Sequence, residues 1–259
     1  MRKIRFFTAF FLTLLCQAFL FANTSTFNQG NFVISMNDDF TEITINGIIE
    51  CNYNADVIIP DNFDGIPVTE IGRSAFSYKD MKSVSIPNSV KKIGEAAFYN
   101  CTYLKEINIP DSVTELGHSV FYRCLELEKI TIPSSVTTIG SEVFTVCPKL
   151  KEINFLARVS EIKYRTFSSC KSLESITLPD SVTTIGQNAF INCEALKTIK
   201  LPKNLKTIGN GAFESCSSLQ NPEIPASVTT VGTGLFKGCN SVTLTYKISI
   251  ARRFNTDIF

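Results

Sequence analysis

The sequence predicts a solenoid, in which short coils of similar structure stack on one another and share a parallel β-sheet. Phenylalanine returns about every 23 residues, and all but the first of these phenylalanines are followed three residues later by cysteine. Two segments, 135–153 and 181–199, share the frame S-V-T-T-I-G-x-x-x-F-x-x-C-x-x-L-K-x-I. A unit of this size cannot enclose its own apolar side chains, so neighbouring units must stack. The recurring phenylalanines are Phe76, Phe98, Phe121, Phe144, Phe167, Phe190, Phe213 and Phe236.

Each unit predicts the same order of elements, for which residues 95–117 and their flanks serve as an example. Segment 104–109 alternates apolar and polar residues near its end, as a strand with one buried face does. Pro110 ends that strand because proline lacks a backbone donor. Gly117 marks a tight turn, and segment 95–98 has room for about one helical turn that places Phe98 in the core. The period and the L-x-x-I-x-I core are those of a leucine-rich repeat.

The fold class is therefore a leucine-rich-repeat solenoid. We expect a curved right-handed stack of ~23-residue strand, turn and short-helix units with the parallel sheet on the concave face. Residues 32–49 predict two short strands around 37–39, a hairpin that caps the N-terminal coil. We expect a cap at 23–56, a solenoid of about eight repeats at 57–242, and a cap strand and tail at 243–259.

The first 22 residues predict a secretory signal peptide. Arg2, Lys3 and Arg5 precede an apolar stretch at 6–21, and Ala22 is a small residue at the expected cleavage site. The stretch is shorter than the ~20 residues of a membrane span. We therefore predict an exported protein, at the cell surface or secreted, with the periplasm as the alternative. A retained leader or lipidation at Cys16 stays open.

Net charge gives no indication of nucleic-acid binding. The formal charge is +1 for the whole chain, and loss of the leader with its three basic residues and no acidic residue makes it −2. A nucleic-acid-binding domain usually carries a strongly basic surface. We expect no nucleic-acid partner, and membrane association only through export or an unrecognised anchor.

The column of seven cysteines predicts buried, reduced thiols. Equivalent atoms in adjacent coils lie about 4.8 Å apart, which a disulfide could bridge, but repeated units point their Cβ atoms in parallel. A buried thiol is a small apolar group with a weak donor, suited to backbone carbonyls. Cys51 lies outside the column and is either buried or a reactive thiol. No C-x-x-C motif indicates structural zinc.

No residue pattern predicts catalysis, and we expect neither an enzyme nor a cofactor. The only histidine, His118, occupies a position that other units fill with unrelated residues. A general base needs an oriented partner, and the repeat supplies none. Residues 232–238 have glycines but lack the strand and long helix of a nucleotide-binding loop. Paired carboxylates of the glycosidase type stay open.

Two groups of residues are candidates for binding a protein. One is a polar column beside the predicted sheet, which alternates in charge from coil to coil and is either a self-neutralised surface or a platform for a macromolecule. Its members are Lys105, Glu128, Lys151, Glu174 and Lys197.

The other group lies in the fifth unit, where Leu156 replaces the usual proline and Lys163 the usual glycine. A local departure from a repeat marks function or strain. We expect a basic contact patch there, with drift of the repeat as the alternative. The patch consists of Arg158, Lys163, Tyr164 and Arg165.

The frame I-x-I-P-x-S-V-T-x-I-G-x-x-A-F-x-x-C-x-x-L resembles the BspA-like, or treponemal, class of bacterial leucine-rich repeats. The resemblance covers roughly residues 57–242, and segments 57–60 and 64–72 resemble the opening unit of that class. It implies a surface adhesin that binds host extracellular-matrix proteins, such as fibronectin and fibrinogen, or other bacteria. The alternative is a periplasmic or envelope scaffold with no host ligand.

Overall fold

The computed structural model describes residues 26–257, and the predicted signal peptide at 1–22 lies outside this range. An N-terminal sheet begins the described chain. Its strands β1 (Phe27–Gln29), β2 (Phe32–Met36) and β3 (Ile43–Ile48) are antiparallel neighbours. β2 and β3 are the predicted hairpin, and the side chain of Asn37 accepts the N–H groups of Thr41 and Glu42 at its turn. β3 then pairs in parallel with the first coil and so caps the solenoid.

Two parallel strand ladders run along the solenoid, which confirms the predicted fold class. The first contains β4 (Asp56–Ile58), β7 (Ser83–Ser85), β9 (Glu106–Asn108), β11 (Lys129–Ile132), β13 (Glu152–Phe155), β15 (Ser175–Thr177) and β17 (Thr198–Lys200). The second contains β6 (Ile66–Ile71), β8 (Lys92–Ile93), β10 (Glu115–Leu116), β12 (Thr138–Ile139), β14 (Glu161–Ile162), β16 (Thr184–Ile185), β18 (Thr207–Ile208) and β19 (Thr230–Val231). A short strand, β5 (Asn62–Phe63), pairs antiparallel with β6.

Stacked aromatic rings fill the centre. All eight repeated phenylalanines are fully buried, and consecutive ring centroids lie 5.1 to 6.1 Å apart in nearly parallel planes. The leucines that follow the cysteines, and the isoleucines of both ladders, surround this stack. Full burial of each such side chain contributes about 1.5–3 kcal/mol, so the phenylalanine column belongs to the scaffold.

The segment between the two ladders differs from the predicted helical turn. Ala96 and Asn100 have left-handed backbones, with φ of 55° and 56°. The amides of Ala96, Phe98 and Asn100 donate to carbonyls of the next coil at 2.7–3.0 Å. The intervening amides of Ala97 and Tyr99 donate within their own coil. The alternate amides thus form a third ladder of backbone hydrogen bonds between coils. The predicted short helix in this segment is therefore wrong.

The C-terminal segment is a helix, so the predicted cap strand is wrong. Helix α1 (Leu244–Phe254) begins at Thr243, whose side chain accepts the amide N–H of Tyr246. Pro222 stands where the eighth coil would form a strand of the first ladder, and proline has no donor to pair with a further strand. Within residues 26–257, no helix is long and apolar enough to cross a membrane.

Arg253 anchors this helix to the last coil. Its guanidinium donates to the carbonyl oxygens of Ile224 at 3.2 Å, Pro225 at 2.9 Å and Val228 at 3.4 Å. The Tyr246 hydroxyl donates to the carbonyl of Pro222. These helix side chains satisfy carbonyl oxygens at the end of the last described coil.

Candidate functional site

The cysteine column is structural. Each of the seven thiols is buried and donates to the carbonyl oxygen of the phenylalanine in the preceding coil, at Sγ–O distances of 2.9–3.3 Å. No disulfide joins the cysteines of the described range. Burial raises the pKa of Cys101 and of Cys147 to about 12. Reactive cysteines need an accessible thiolate, and these thiols are neutral and enclosed.

Cys51 lies beside the first coil and is only partly enclosed. Its Sγ donates to the carbonyl oxygen of Asp80 at 3.0 Å, and burial raises its pKa. The sequence left Cys51 as either a buried thiol or a reactive thiol. The structure places it between the two, as a thiol that is packed against the first coil and partly open to solvent.

No group of three metal-ligating side chains occurs among residues 26–257. The expectation that His118 lacks an oriented partner is wrong, because its Nε2 lies 3.2 Å from a carboxylate oxygen of Glu142 in the next coil. The imidazole is about half exposed, and the equivalent turns of other coils place Arg73 against Glu95. The contact therefore fits a solvated pair between coils.

The predicted charged column lies exposed beside the first ladder. Lys197 Nζ donates to Glu174 Oε2 at 2.8 Å, and this hydrogen bond lowers the pKa of Glu174. The other three members, Lys105, Glu128 and Lys151, form no ion pair within 4.0 Å in the described chain. The predicted lateral pairing therefore occurs once. An open polar depression of about 500 Å³ covers the neighbouring strands β7, β9 and β11.

The fifth unit interrupts the second ladder. Glycines in this column touch the coil before them: a Cβ on Gly140 would lie 2.4 Å from the His118 amide nitrogen. Lys163 carries a Cβ at the equivalent place, and β12 and β14 do not pair in the described chain. The Cβ of Lys163 explains why β12 and β14 do not pair. The interruption is local, because the same two coils stay joined in the third ladder, where the Glu142 amide donates to the Tyr164 carbonyl at 3.0 Å.

The structure brings together three of the four predicted patch residues. The Arg165 guanidinium carbon lies 5.0 Å from the ring centroid of Tyr164, and Lys163 directly precedes the pair. The Arg165 Nε is buried without a hydrogen-bond partner in the described chain. Arg158 precedes β14, where its amide donates to the carbonyl oxygen of Val136 at 2.8 Å, and in the described chain its side chain forms no hydrogen bond or ring contact with the other three residues.

Among the described residues, a group of exposed and partly exposed tyrosines lies elsewhere, beside the first three coils. We call it the tyrosine edge, and it consists of Tyr53, Tyr78, Tyr99, Tyr103 and Tyr122. The rings of Tyr78, Tyr99 and Tyr122 form a row across three coils, with centroid distances of 5.5 and 4.8 Å. Tyr53 and Tyr103 form a second pair at 5.8 Å. Tyr53, Tyr78 and Tyr103 are 59%, 68% and 46% exposed.

The phenol of Tyr99, in the middle of the row, is held in its protonated form. Burial, followed by the neighbouring Tyr78 and Tyr122, raises the pKa of Tyr99, so its phenol stays protonated. Arg123 is held next to the row by a 2.9 Å bond from its Nε to Asn100 Oδ1. Sequence reasoning missed this surface because it examined the strand positions. The signal was present: Tyr99 and Tyr122 directly follow the repeated phenylalanine, where later coils carry other residues.

Comparisons with known proteins agree with this architecture. The family model of the BspA type leucine rich repeat region matches six copies, over residues 69–170 and 147–259. The solved leucine-rich-repeat protein of T. pallidum is 29% identical, with 90% of this chain and 99% of that chain covered and a TM-score of 0.65. A leucine-rich cell surface protein of Faecalibacterium prausnitzii is 26% identical, with 86% and 76% covered and a TM-score of 0.57. No curated protein sequence matches the chain. Since the family model spans most of the solenoid, the chain belongs to the BspA-type leucine-rich-repeat family.

Proposed function

We propose that this chain is an exported, non-catalytic solenoid of the bacterial surface that binds another protein. The similar structure from F. prausnitzii is described as a cell surface protein, which supports the location. Repeat solenoids commonly present an extended surface to a protein partner. The partner we propose is a host extracellular-matrix protein or a surface protein of another bacterium, which makes the chain an adhesin.

The observation that carries this proposal is the exposure of the tyrosine edge. Tyrosine supplies a large apolar ring with a polar tip, and it is enriched at the energetic centres of protein interfaces. Tyr53, Tyr78 and Tyr103 are well exposed and each contacts another tyrosine ring, unlike the scattered apolar residues of an ordinary surface. The charged column beside the first ladder, by contrast, is solvated and lacks aromatic residues.

The basic patch of the fifth unit is a second part of the proposed contact surface. Lys163, Tyr164 and Arg165 offer two cations and a ring that is 38% exposed. Arginine on an aromatic ring is a common recognition element. We place this patch second because it is smaller than the tyrosine edge.

Binding to immobilised fibronectin, fibrinogen and intact cells of a second bacterium tests the proposal. Replacing Tyr53, Tyr78 and Tyr103 with serine should weaken binding at least about tenfold, because hot-spot residues each contribute more than about 1 kcal/mol. A Lys105→Ala, Lys151→Ala variant is the matched control and should bind normally. Both variants should unfold at the temperature of the parent protein, because the altered side chains are exposed.

A third variant, Arg158→Ala with Tyr164→Ala and Arg165→Ala, measures the share of the basic patch. Full binding by the serine variant would refute the tyrosine edge, and full binding by the third variant would refute the patch. Protease treatment of intact and permeabilised cells tests the location. Protection of the protein until permeabilisation would refute the adhesin and leave the periplasmic scaffold.

A further inference from the structure

The row of Tyr78, Tyr99 and Tyr122 is held in register by the backbone, and Tyr53 and Tyr103 meet through their rings. The amide of Asn100 donates to the carbonyl of Tyr122 at 2.7 Å, and the amide of Tyr78 to that of Tyr99 at 2.8 Å. The rings of Tyr99 and Tyr122 lie 4.8 Å apart at an angle of 3°. Adjacent coils thus keep two phenols in contact at a surface that solutes reach.

These phenols are also among the few oxidisable side chains that solutes can reach. The seven thiols of the cysteine column and Met81 are fully buried, so the oxidisable side chains open to a solute include the tyrosine edge together with the partly enclosed Cys51, Met36 and the exposed Tyr164. The neighbouring phenylalanine stack has a similar ring spacing but lacks the hydroxyl groups from which an electron and a proton can leave.

We propose that the tyrosine edge is a site of oxidative cross-linking, at which a haem peroxidase and hydrogen peroxide join Tyr99 to Tyr122 and Tyr53 to Tyr103. Each phenol loses one electron and its hydroxyl proton to the oxidant. The two phenoxyl radicals couple at ring carbons ortho to the hydroxyl groups and form one C–C bond. The hydrogen on each coupled carbon then moves to its oxygen and restores the ring. One peroxide is reduced to two waters, and the protein loses two hydrogens.

The two links fasten different parts of the molecule. The bond from Tyr99 to Tyr122 joins the second and third coils. Tyr53 precedes β4, so its bond to Tyr103 ties the segment after the N-terminal sheet to the second coil. Both bonds resist thiol reductants, in contrast to disulfides. Oxidation therefore links the N-terminal part of the solenoid covalently. This inference does not depend on the proposed adhesin function.

Mass spectrometry of dilute protein treated with horseradish peroxidase and hydrogen peroxide tests the inference. The monomer fraction should show dityrosine fluorescence and a mass lower by two hydrogens per link. After trypsin, peptide 93–105 should be linked to peptide 106–123 and, separately, to the peptide that carries Tyr53. Tyr99 and Tyr103 share peptide 93–105, so single variants are needed to assign the links.

Tyr99→Phe should abolish the link to peptide 106–123 and keep the other, and Tyr103→Phe should do the reverse. Since each variant retains one link, each also serves as the folding control of the other. Equal yields of these links in denaturant would overturn the inference, as would cross-links found only in covalent dimers. Links that persist in the matching phenylalanine variant would overturn it as well.

Discussion

The thiol of Cys147 lies 3.1 Å from the carbonyl oxygen of Phe121 in the preceding coil and donates a hydrogen bond to it. The same carbonyl accepts the amide of Cys124 at 3.2 Å. The thiol thus reaches across the coil boundary to an acceptor at a tight turn, and six further cysteines repeat the contact.

The cysteine column should make the fold sensitive to alkali. Burial raises the pKa of Cys147 from 9.0 to about 12, and the buried thiols of the other coils are raised too. A group with a raised folded pKa stabilises the fold fully below its unfolded pKa and loses that contribution as pH rises toward the folded value. The free energy of unfolding should therefore fall between about pH 9 and 12 in denaturant titrations.

Thiol labelling gives an independent check of the same column. At neutral pH, an aromatic disulfide reagent should modify about one thiol, Cys51, in the folded mature chain and the remaining seven only after unfolding. Rapid modification of several thiols in the folded protein would contradict the buried column.

Phe144→Ala should destabilise the protein by about 3–5 kcal/mol, because the lost ring leaves a cavity between two stacked neighbours. Chemical denaturation monitored by circular dichroism measures this change. Thr131→Ala, at an exposed position of β11, is the control and should change stability by less than about 0.5 kcal/mol. Equal effects of the two substitutions would contradict the described core.

Gly140→Ala should destabilise the protein by more than about 1 kcal/mol. The added Cβ would meet the backbone of the preceding coil at 2.4–2.5 Å, where nothing flexible can move aside. Lys163 occupies the equivalent position of the next coil and already has a Cβ. Lys163→Ala should therefore leave the free energy of unfolding nearly unchanged. Thermal unfolding of the two variants measures the difference, and a neutral Gly140→Ala would refute the steric origin of the ladder gap.

Arg253→Ala should loosen the C-terminal cap and lower stability by about 1 kcal/mol, because three carbonyl oxygens lose a charged donor that is itself exposed to solvent. Arg252 is exposed, as Arg253 is, but donates to none of these carbonyls, so Arg252→Ala is the control. Hydrogen exchange of residues 224–236 should accelerate in the first variant and not in the second. Unchanged exchange in both would show that the helix does not depend on this anchor.

The repeat of the sequence predicted the parts of the fold that depend on one coil alone. Alternation in segment 104–109 and the stop at Pro110 predicted β9, and the cysteine spacing predicted a thiol near backbone carbonyls. The left-handed backbone at Ala96 was not predicted, because alanine does not favour that conformation. It is imposed by hydrogen bonds to the next coil, which a single unit does not contain.

The candidate site was less predictable, since it depends on distances between coils. Lys163 was recognised as a departure from the repeat, but the gap between β12 and β14 follows from packing against Gly140. Tyr78 and Tyr99 occupy slightly different positions of their units, so the repeat frame alone does not align their rings. The C-terminal helix was likewise not predicted, because the strand of the first ladder is missing at Pro222 and the segment after the last coil has no strand to pair with.

Each interior coil offers its two neighbours nearly the same set of donors and acceptors. Gly186 and Gly209 occupy equivalent places, and each donates its amide to an isoleucine of the coil before. Excision of residues 187–209 would therefore join two ends that already fit, with both caps intact. A gene of this kind can gain or lose whole coils by unequal recombination, so the length of the molecule can change in single steps while its fold is kept.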